Sequence, residues 1–377
     1  MSEEIKKEIM LPKGEELVLS SSPHIHVTEN IQSIMLKVVL AMLPALAAAI
    51  WFFGIPALLV IFWCVLFCLV LEIIWCRIAG KPASVVKDGS ALVTGLLLAM
   101  NLPPVTAWWV CLLGALLAIW LGKQVFGGLG QNPFNPAAVA RVGLLIALPR
   151  QLTYWIPSSG MTADAANYSE VFYAAADFTK IEQAGQVIDG ITCATPLSIA
   201  QNTPKILDSG VAAADNFAAI ANPESYWQYF IGNMGGSLGE TSTLAILIGG
   251  IILLSFKLIR WQIPLFYLGT VAVFTGLIHL IWPGVTPPPL FHLLTGGLML
   301  AAFFMATDMV TSPITGRGAA IFGIGLGVMT CVIRIWGGFP EGVSFSILLM
   351  NALVPLIERM AKLKPFGFRK PTPAKGA

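Results

Sequence analysis

Apolar runs of close to twenty residues alternate with short polar breaks along almost the whole chain, and only the interval 150–239 is both long and polar. A hydrocarbon core about 30 Å thick takes about 20 helical residues to cross, and a helix satisfies its own backbone there without water. The pattern predicts helices at 34–53, 57–76, 89–101, 107–123, 135–149, 240–258, 263–282, 289–306, 317–336 and 341–357. That makes ten transmembrane helices, five on each side of the polar interval. Runs 89–101 and 135–149 are short for a crossing and are bordered by Pro and Gly in NLPP, GGLGQNPFNP and ALP. Short, Gly/Pro-interrupted segments in matching places of two halves point to a central site lined by broken helices.

The halves resemble each other in order, at an offset of roughly 201 to 211 residues. WFFGIP (51–56) answers RWQIP (260–264), and LVTG (92–95) answers LLTG (293–296). KQVFGGLG (123–130) answers RIWGGFPEG (334–342), and IALP (146–149) answers ALVP (352–355). An odd number of spans per copy forces the second copy in from the opposite side, so the expected architecture is two inverted five-helix repeats. The segments are then 1–33 before the first span, repeats at 34–149 and 240–357, an outer loop 150–239 between them and a basic tail 358–377.

Composition agrees with a membrane protein: 56% of the 377 residues are hydrophobic and 11% charged. The net charge of +2 carries no sign of a nucleic-acid partner, because the basic residues fall in short loops and tails where they set topology. With both termini cytoplasmic, the inner loops and tails collect Lys6, Lys7, Lys13, Arg77, Lys81, Lys87, Lys123, Lys257, Arg260, Arg317, Arg359 and the lysines and arginines beyond it. The outer side keeps Arg150, Lys180, Lys205 and Arg334 and holds an acidic 150–239 interval, expected to lie as a lid. The polar residues 1–33 run into the first span with no cleavable signal pattern.

Candidate chemistry is sparse. Lys37 and Glu72, near cytoplasmic span ends, are expected to snorkel, whereas Arg141 and Asp308 are costly to bury and are functional candidates, with a pair or helix cap as the plain alternative. His24 and His26 form an H-x-H pair better read as a contact surface than a metal site, and His279 and His292 flank one outer loop. Cys64 and Cys68 share a helix face but lack further ligands, so they read as small hydrophobes. No hydrolase triad, phosphate loop or catalytic carboxylate pair is present, so no catalytic residue and no metal site is assigned. In GGLGQNPFNPAA (127–138), Asn135 before Pro136 reads as a helix cap, and the amides of Asn132 and Asn135 are also placed to face a cavity. Thr195-Pro196 has the same double reading, as a helix start and as a corner that would hold a phosphate.

SSPHIHVTENIQSIML, KDGSALVTGLLLAMNLPP, LGKQVFGGLGQNPFNPA, DGITCATPLS, LLTGGLMLAAFFMATDMVTSP and IRIWGGFPEGVSFSILLMNALVPLIE together resemble the D subunits of bacterial Rnf (Rsx) complexes, a family homologous to the B subunits of sodium-pumping NADH:quinone reductases. The resemblance runs over nearly the whole chain. It implies an inner-membrane flavoprotein component of a translocase that couples electron transfer between ferredoxin and NAD to Na⁺ or H⁺ movement, not an enzyme on its own. It implies the A, B, C, E and G subunits as partners, and a flavin transferase that esterifies FMN through its phosphate to the last residue of an S/T-x-A-T motif. That motif stands here as Thr192, Cys193, Ala194 and Thr195, which makes Thr195 the implied attachment point. It further implies a fold similar to urea and ammonium channels and a second, non-covalent flavin (riboflavin), placed here near Asn132 and Asn135. A solute channel or transporter of the same fold without redox chemistry is the competing function, and a purely structural role in assembly is a third.

Overall fold

The computed structural model describes residues 30–80, 83–156, 158, 195–206, 217–339 and 341–361, and every regular element among them is helical. Among the described residues five helices are long and apolar enough to cross a membrane: α1 (Ile31–Phe53), α2 (Ile55–Ile78), Gln262–Ile281, Gly316–Trp336 and Val343–Met360. Shorter apolar helices complete the core, namely α3 (Ser90–Met100), α4 (Trp108–Leu116), α5 (Pro136–Ala147) and Thr243–Ser255. With α6 (Pro196–Ile206) and α7 (Pro223–Ile231) in the polar interval, the later helices number α8 (Thr243–Ser255), α9 (Gln262–Ile281), α10 (Pro289–Leu294), α11 (Leu298–Leu300), α12 (Gly316–Trp336) and α13 (Val343–Met360).

Local sequence accounts for most boundaries. Only Gly54 separates α1 from α2, and its φ of 66° is a left-handed conformation that glycine adopts at little cost. Prolines 136, 149, 223 and 289 stand in first turns, where a missing N–H removes no helical bond. Asn135, Asn222, Ser242 and Thr315 each cap a helix start with a side-chain oxygen.

Two elements depart from plain helix. α4 runs on as a π-helix over Leu117–Gln124, and α11 runs on as another over Ala301–Met305. The expected single helix 289–306 is in two pieces, because Thr295 is extended and Gly296 has φ 71°. The sequence pattern missed that break because an apolar run with two glycines still reads as one helix.

Helices pack in corresponding pairs: α2 against α3 and α4, α9 against α12, α1 against α8 and α5 against α13. Close approaches set these contacts. A Cβ on Gly95 of α3 would lie 2.9 Å from Val65 Cα and 3.1 Å from Cys64 O, so α3 lies on the backbone of α2. Side chains cannot retreat from a backbone clash, and overpacking of this kind costs about 1–3 kcal/mol or more. Gly95→Val is therefore expected to lower the thermal midpoint of the detergent-purified protein and raise its aggregated fraction in size-exclusion chromatography; an unchanged midpoint would contradict the close α2–α3 packing.

Candidate functional site

A cleft enclosing about 880 Å³, including its open mouth, lies between segments from both ends of the chain. One wall is α1 and α3, through Met35, Val38, Val93 and Leu97; the opposite wall is Leu253, Phe303 and Phe304. The 129–137 loop closes one end, and the polar lining groups are Ser90, Thr94, Lys123, Asn132, Asn135, Thr307 and Asp308. A mostly apolar cavity with a few convergent polar groups is the usual form of a small-molecule or cofactor site.

Asn135 connects the loop to the core. Its Oδ1 accepts from Ala137 N at 3.0 Å and Ala138 N at 3.3 Å, capping α5 as the NPFNP sequence leads one to expect. Its Nδ2 donates to Met305 O at 3.1 Å, at the end of the second π-helix. Asn351 on α13, with its amide oxygen turned to the donor, accepts from Asn135 N at 3.0 Å. Asn132 donates from Nδ2 to Phe134 O at 3.0 Å, while its buried Oδ1 has no partner among the described residues. Asn135 thus fixes the frame, and Asn132 keeps an unpaired acceptor on the cleft lining.

Behind the cleft lies a charged cluster whose members are far apart in the sequence. Glu72 does not snorkel; it is fully buried, and Lys123, an inner-loop charge by its sequence position, is 2% exposed. Lys123 Nζ donates to Glu72 Oε1 at 2.5 Å and to Ser90 Oγ at 2.6 Å, and Gln124 Nε2 donates to the same Glu72 oxygen at 2.9 Å. Adjacent residues on an α-helix diverge by about 100°, whereas the wider π turn brings Lys123 and Gln124 to one carboxylate. Lys37, the other residue expected to snorkel, is half-buried with its ammonium 5.6 Å from the Phe256 ring centre.

A second cluster belongs to the polar interval and the ends of α5 and α12. Arg141 pairs with Glu341, and its guanidinium lies 5.9 Å from the Trp155 ring centre. Arg334, expected as an outer-loop charge, is buried: Nη1 donates to His292 O at 2.8 Å and Nη2 to Thr295 O at 3.1 Å. These are carbonyls that the helix break at Gly296 leaves free, so the guanidinium replaces the missing helical donors. His292 is buried and its Nε2 is 2.7 Å from Thr286 Oγ1, while His279 Nδ1 is 2.8 Å from Thr286 O. Asp308 accepts from Thr311 Oγ1 at 3.1 Å and Val310 N at 3.4 Å, local bonds within the turn that follows the second π-helix and precedes α12.

Helix α6 docks on this second cluster. Gln201 Nε2 donates to Gly337 O at 2.9 Å and Arg334 O at 3.2 Å, holding α6 to the end of α12. Thr195 stands just before Pro196 and is 3% exposed; its Oγ1 accepts from Ser198 N at 3.2 Å, and Ser198 Oγ donates to Thr195 O at 2.8 Å. The hydroxyl therefore caps α6. Thr192, Ala194 and the His24/His26 pair lie outside the described residues. Cys64 and Cys68 are buried and free, and no group of three metal-ligating side chains occurs among the described residues.

Glu240, which belongs to no sequence motif, stands just before α8 and is buried, with Arg141, Arg334 and Glu341 acting on its carboxyl.

Residues 18–367 match the model of the NQR2, RnfD, RnfE family. The D subunit of an ion-translocating oxidoreductase complex from Stutzerimonas stutzeri is 43% identical over 343 residues, covering 90% of this chain and 93% of that protein. The D subunit of a proton-translocating ferredoxin:NAD(+) oxidoreductase complex from Clostridium ljungdahlii is 38% identical, covering 93% and 96%. The D subunit of the ion-translocating oxidoreductase complex of Escherichia fergusonii is also 38% identical, covering 93% and 99%. The match spans the cleft, both charge clusters and the α6 segment, and so the chain belongs to the NQR2, RnfD, RnfE family.

Proposed function

We propose that this chain is the D subunit of an ion-translocating ferredoxin:NAD oxidoreductase complex in the bacterial inner membrane, and that it carries two flavins. The family and the names of its relatives support the complex and the class of reaction. The partners are the A, B, C, E and G subunits, and a flavin transferase serves maturation. The arrangement is ten transmembrane segments in two inverted repeats, similar to urea and ammonium channels. Corresponding helix pairs and the two π-helices support that arrangement. Both termini are cytoplasmic. Exposed Trp51, Trp108, Trp282 and Trp336 then share the outer interface, and Trp261 lies at the inner one, as membrane-anchoring aromatics do.

The covalent site is Thr195, in a T-C-A-T run, and the observation that carries this reading is its position at the N-terminus of the docked helix α6. A phosphate ester at that hydroxyl would meet the free N–H groups and the positive end of the helix dipole. The esterified oxygen is a weaker acceptor than a hydroxyl, so Ser198 N would pass from Thr195 Oγ1 to a phosphate oxygen. Activation belongs to the transferase, so no base is required beside Thr195. Gln201, donating to the carbonyls of Arg334 and Gly337, holds α6 against the end of α12, which fixes where a group on Thr195 can reach.

The cleft fits the second, non-covalent flavin. Its apolar walls suit a flat ring, and the unpartnered Asn132 Oδ1 suits a ring N–H donor. Bound flavin would supply one-electron chemistry. The chain's own residues orient it: Asn135 holds the loop, Asn132 accepts, and Phe303 and Phe304 exclude water.

A fluorescent band that survives denaturing electrophoresis is expected when the chain is made with its flavin transferase, and Thr195→Ala is expected to abolish it. A colourless wild-type chain would favour the channel reading instead. Asn132→Leu is expected to cut the acid-released flavin up to about tenfold, the value of roughly one hydrogen bond, while leaving the covalent band unchanged. Equal released flavin in that variant would remove Asn132 from the site.

A further inference from the structure

The lysine on the cleft wall is unusual in its surroundings. Lys123 and Ser90 line the cleft, whereas Glu72, on α2, does not. The Lys123–Glu72 pair is therefore a dipole whose positive end faces the cleft and whose negative end lies behind it. An ammonium has three N–H donors, and two are occupied, by Glu72 Oε1 at 2.5 Å and Ser90 Oγ at 2.6 Å. Gln124 donates to the same carboxylate oxygen as Lys123, and the second oxygen has no partner among the described residues. Burying an ion pair gains little stability over apolar packing, so the π-helix that delivers Lys123 is an expensive way to close a wall. The opposing charges near it are Asp88, which faces Glu72, and Asp308, which lines the cleft on another segment.

We infer that Lys123 is the charge-stabilising residue of the cleft: its ammonium, fixed by Glu72 and Ser90, favours the reduced over the oxidised form of the ring bound there. This rests on the reading of the cleft as the non-covalent flavin site. One electron, supplied by the reduced carrier of the oxidoreductase complex, adds to the ring. No covalent bond forms or breaks, no proton moves, and the ring gains one negative charge beside the ammonium. In a mostly apolar cleft such a charge is screened less than in solution, so a single fixed ammonium matters more than it would there.

The two members of the pair should act in opposite directions, which a purely structural role does not produce. Lys123→Met takes the positive charge from the wall, and Glu72→Gln leaves the ammonium uncompensated. Redox titration of the acid-releasable flavin, followed by its absorbance in the purified complex, reads both. Lys123→Met is expected to disfavour the reduced ring at least tenfold, a potential lower by about 59 mV for one electron, with Lys123→Arg restoring most of it. Glu72→Gln is expected to raise the potential. Retained flavin with an unshifted potential in Lys123→Met, or shifts of the same sign in both variants, would overturn the inference and leave the cleft assignment intact. No releasable flavin in the wild-type complex would overturn the cleft assignment and the inference with it. Should Lys123→Met fail to assemble, the sign of the Glu72→Gln shift decides, a fall or no change being the overturning result.

Discussion

The amide of Asn135 joins three segments that are far apart in the chain. It caps α5, donates to Met305 O at the end of a π-helix, and its backbone N–H meets Asn351 on α13. Inside a membrane an unpaired backbone group has no water to turn to, so every helix that stops short of the surface must find a partner in the protein. Asn135 does this for one end of the cleft. Arg334 does it for the break at Gly296, and Leu238 and Gly239 do it for α3, donating to Leu102 O at 3.1 Å and Met100 O at 2.6 Å. These helices stop early, and their ends are satisfied by distant residues.

Much of this was legible in the chain. The apolar runs located most core helices to within a few residues, since a lipid-facing helix must be apolar along its length; α8, for example, is 243–255 against an expected 240–258, whereas the expected helix 289–306 is broken at Gly296. The caps at Asn135 and Thr195 followed from local chemistry, which needs only neighbouring residues. The partners in the ion pairs were not legible. Lys123 lies 51 positions from Glu72 and Arg141 lies 200 from Glu341, so Lys123 read as a loop charge and Glu72 as a snorkelling side chain, and for Arg141 a pair stood only as an alternative with no partner named. One signal was present: KQVFGGLG and RIWGGFPEG each open on a cation just before a glycine pair, and Lys123 and Arg334 are both buried.

The two buried charge clusters serve different ends. The second cluster satisfies the helix break through Arg334 and receives α6 through Gln201 at the end of α12, with Glu240 buried beside Arg141 and Arg334. The Lys123 cluster stands behind the cleft and presents it with positive charge. An attached group at Thr195 and a bound ring in the cleft would thus lie on separate, separately tuned supports, as two carriers of different potential require.

The central claim is that the chain carries one flavin on Thr195 and one in the cleft. Acid precipitation of the chain purified within its complex, followed by quantification of released flavin and peptide mapping of the retained fraction, tests it directly. The account expects about one released flavin per chain and a retained flavin phosphate on the peptide containing Thr195. Flavin absent from both fractions, or retained on a peptide other than that of Thr195, would contradict it.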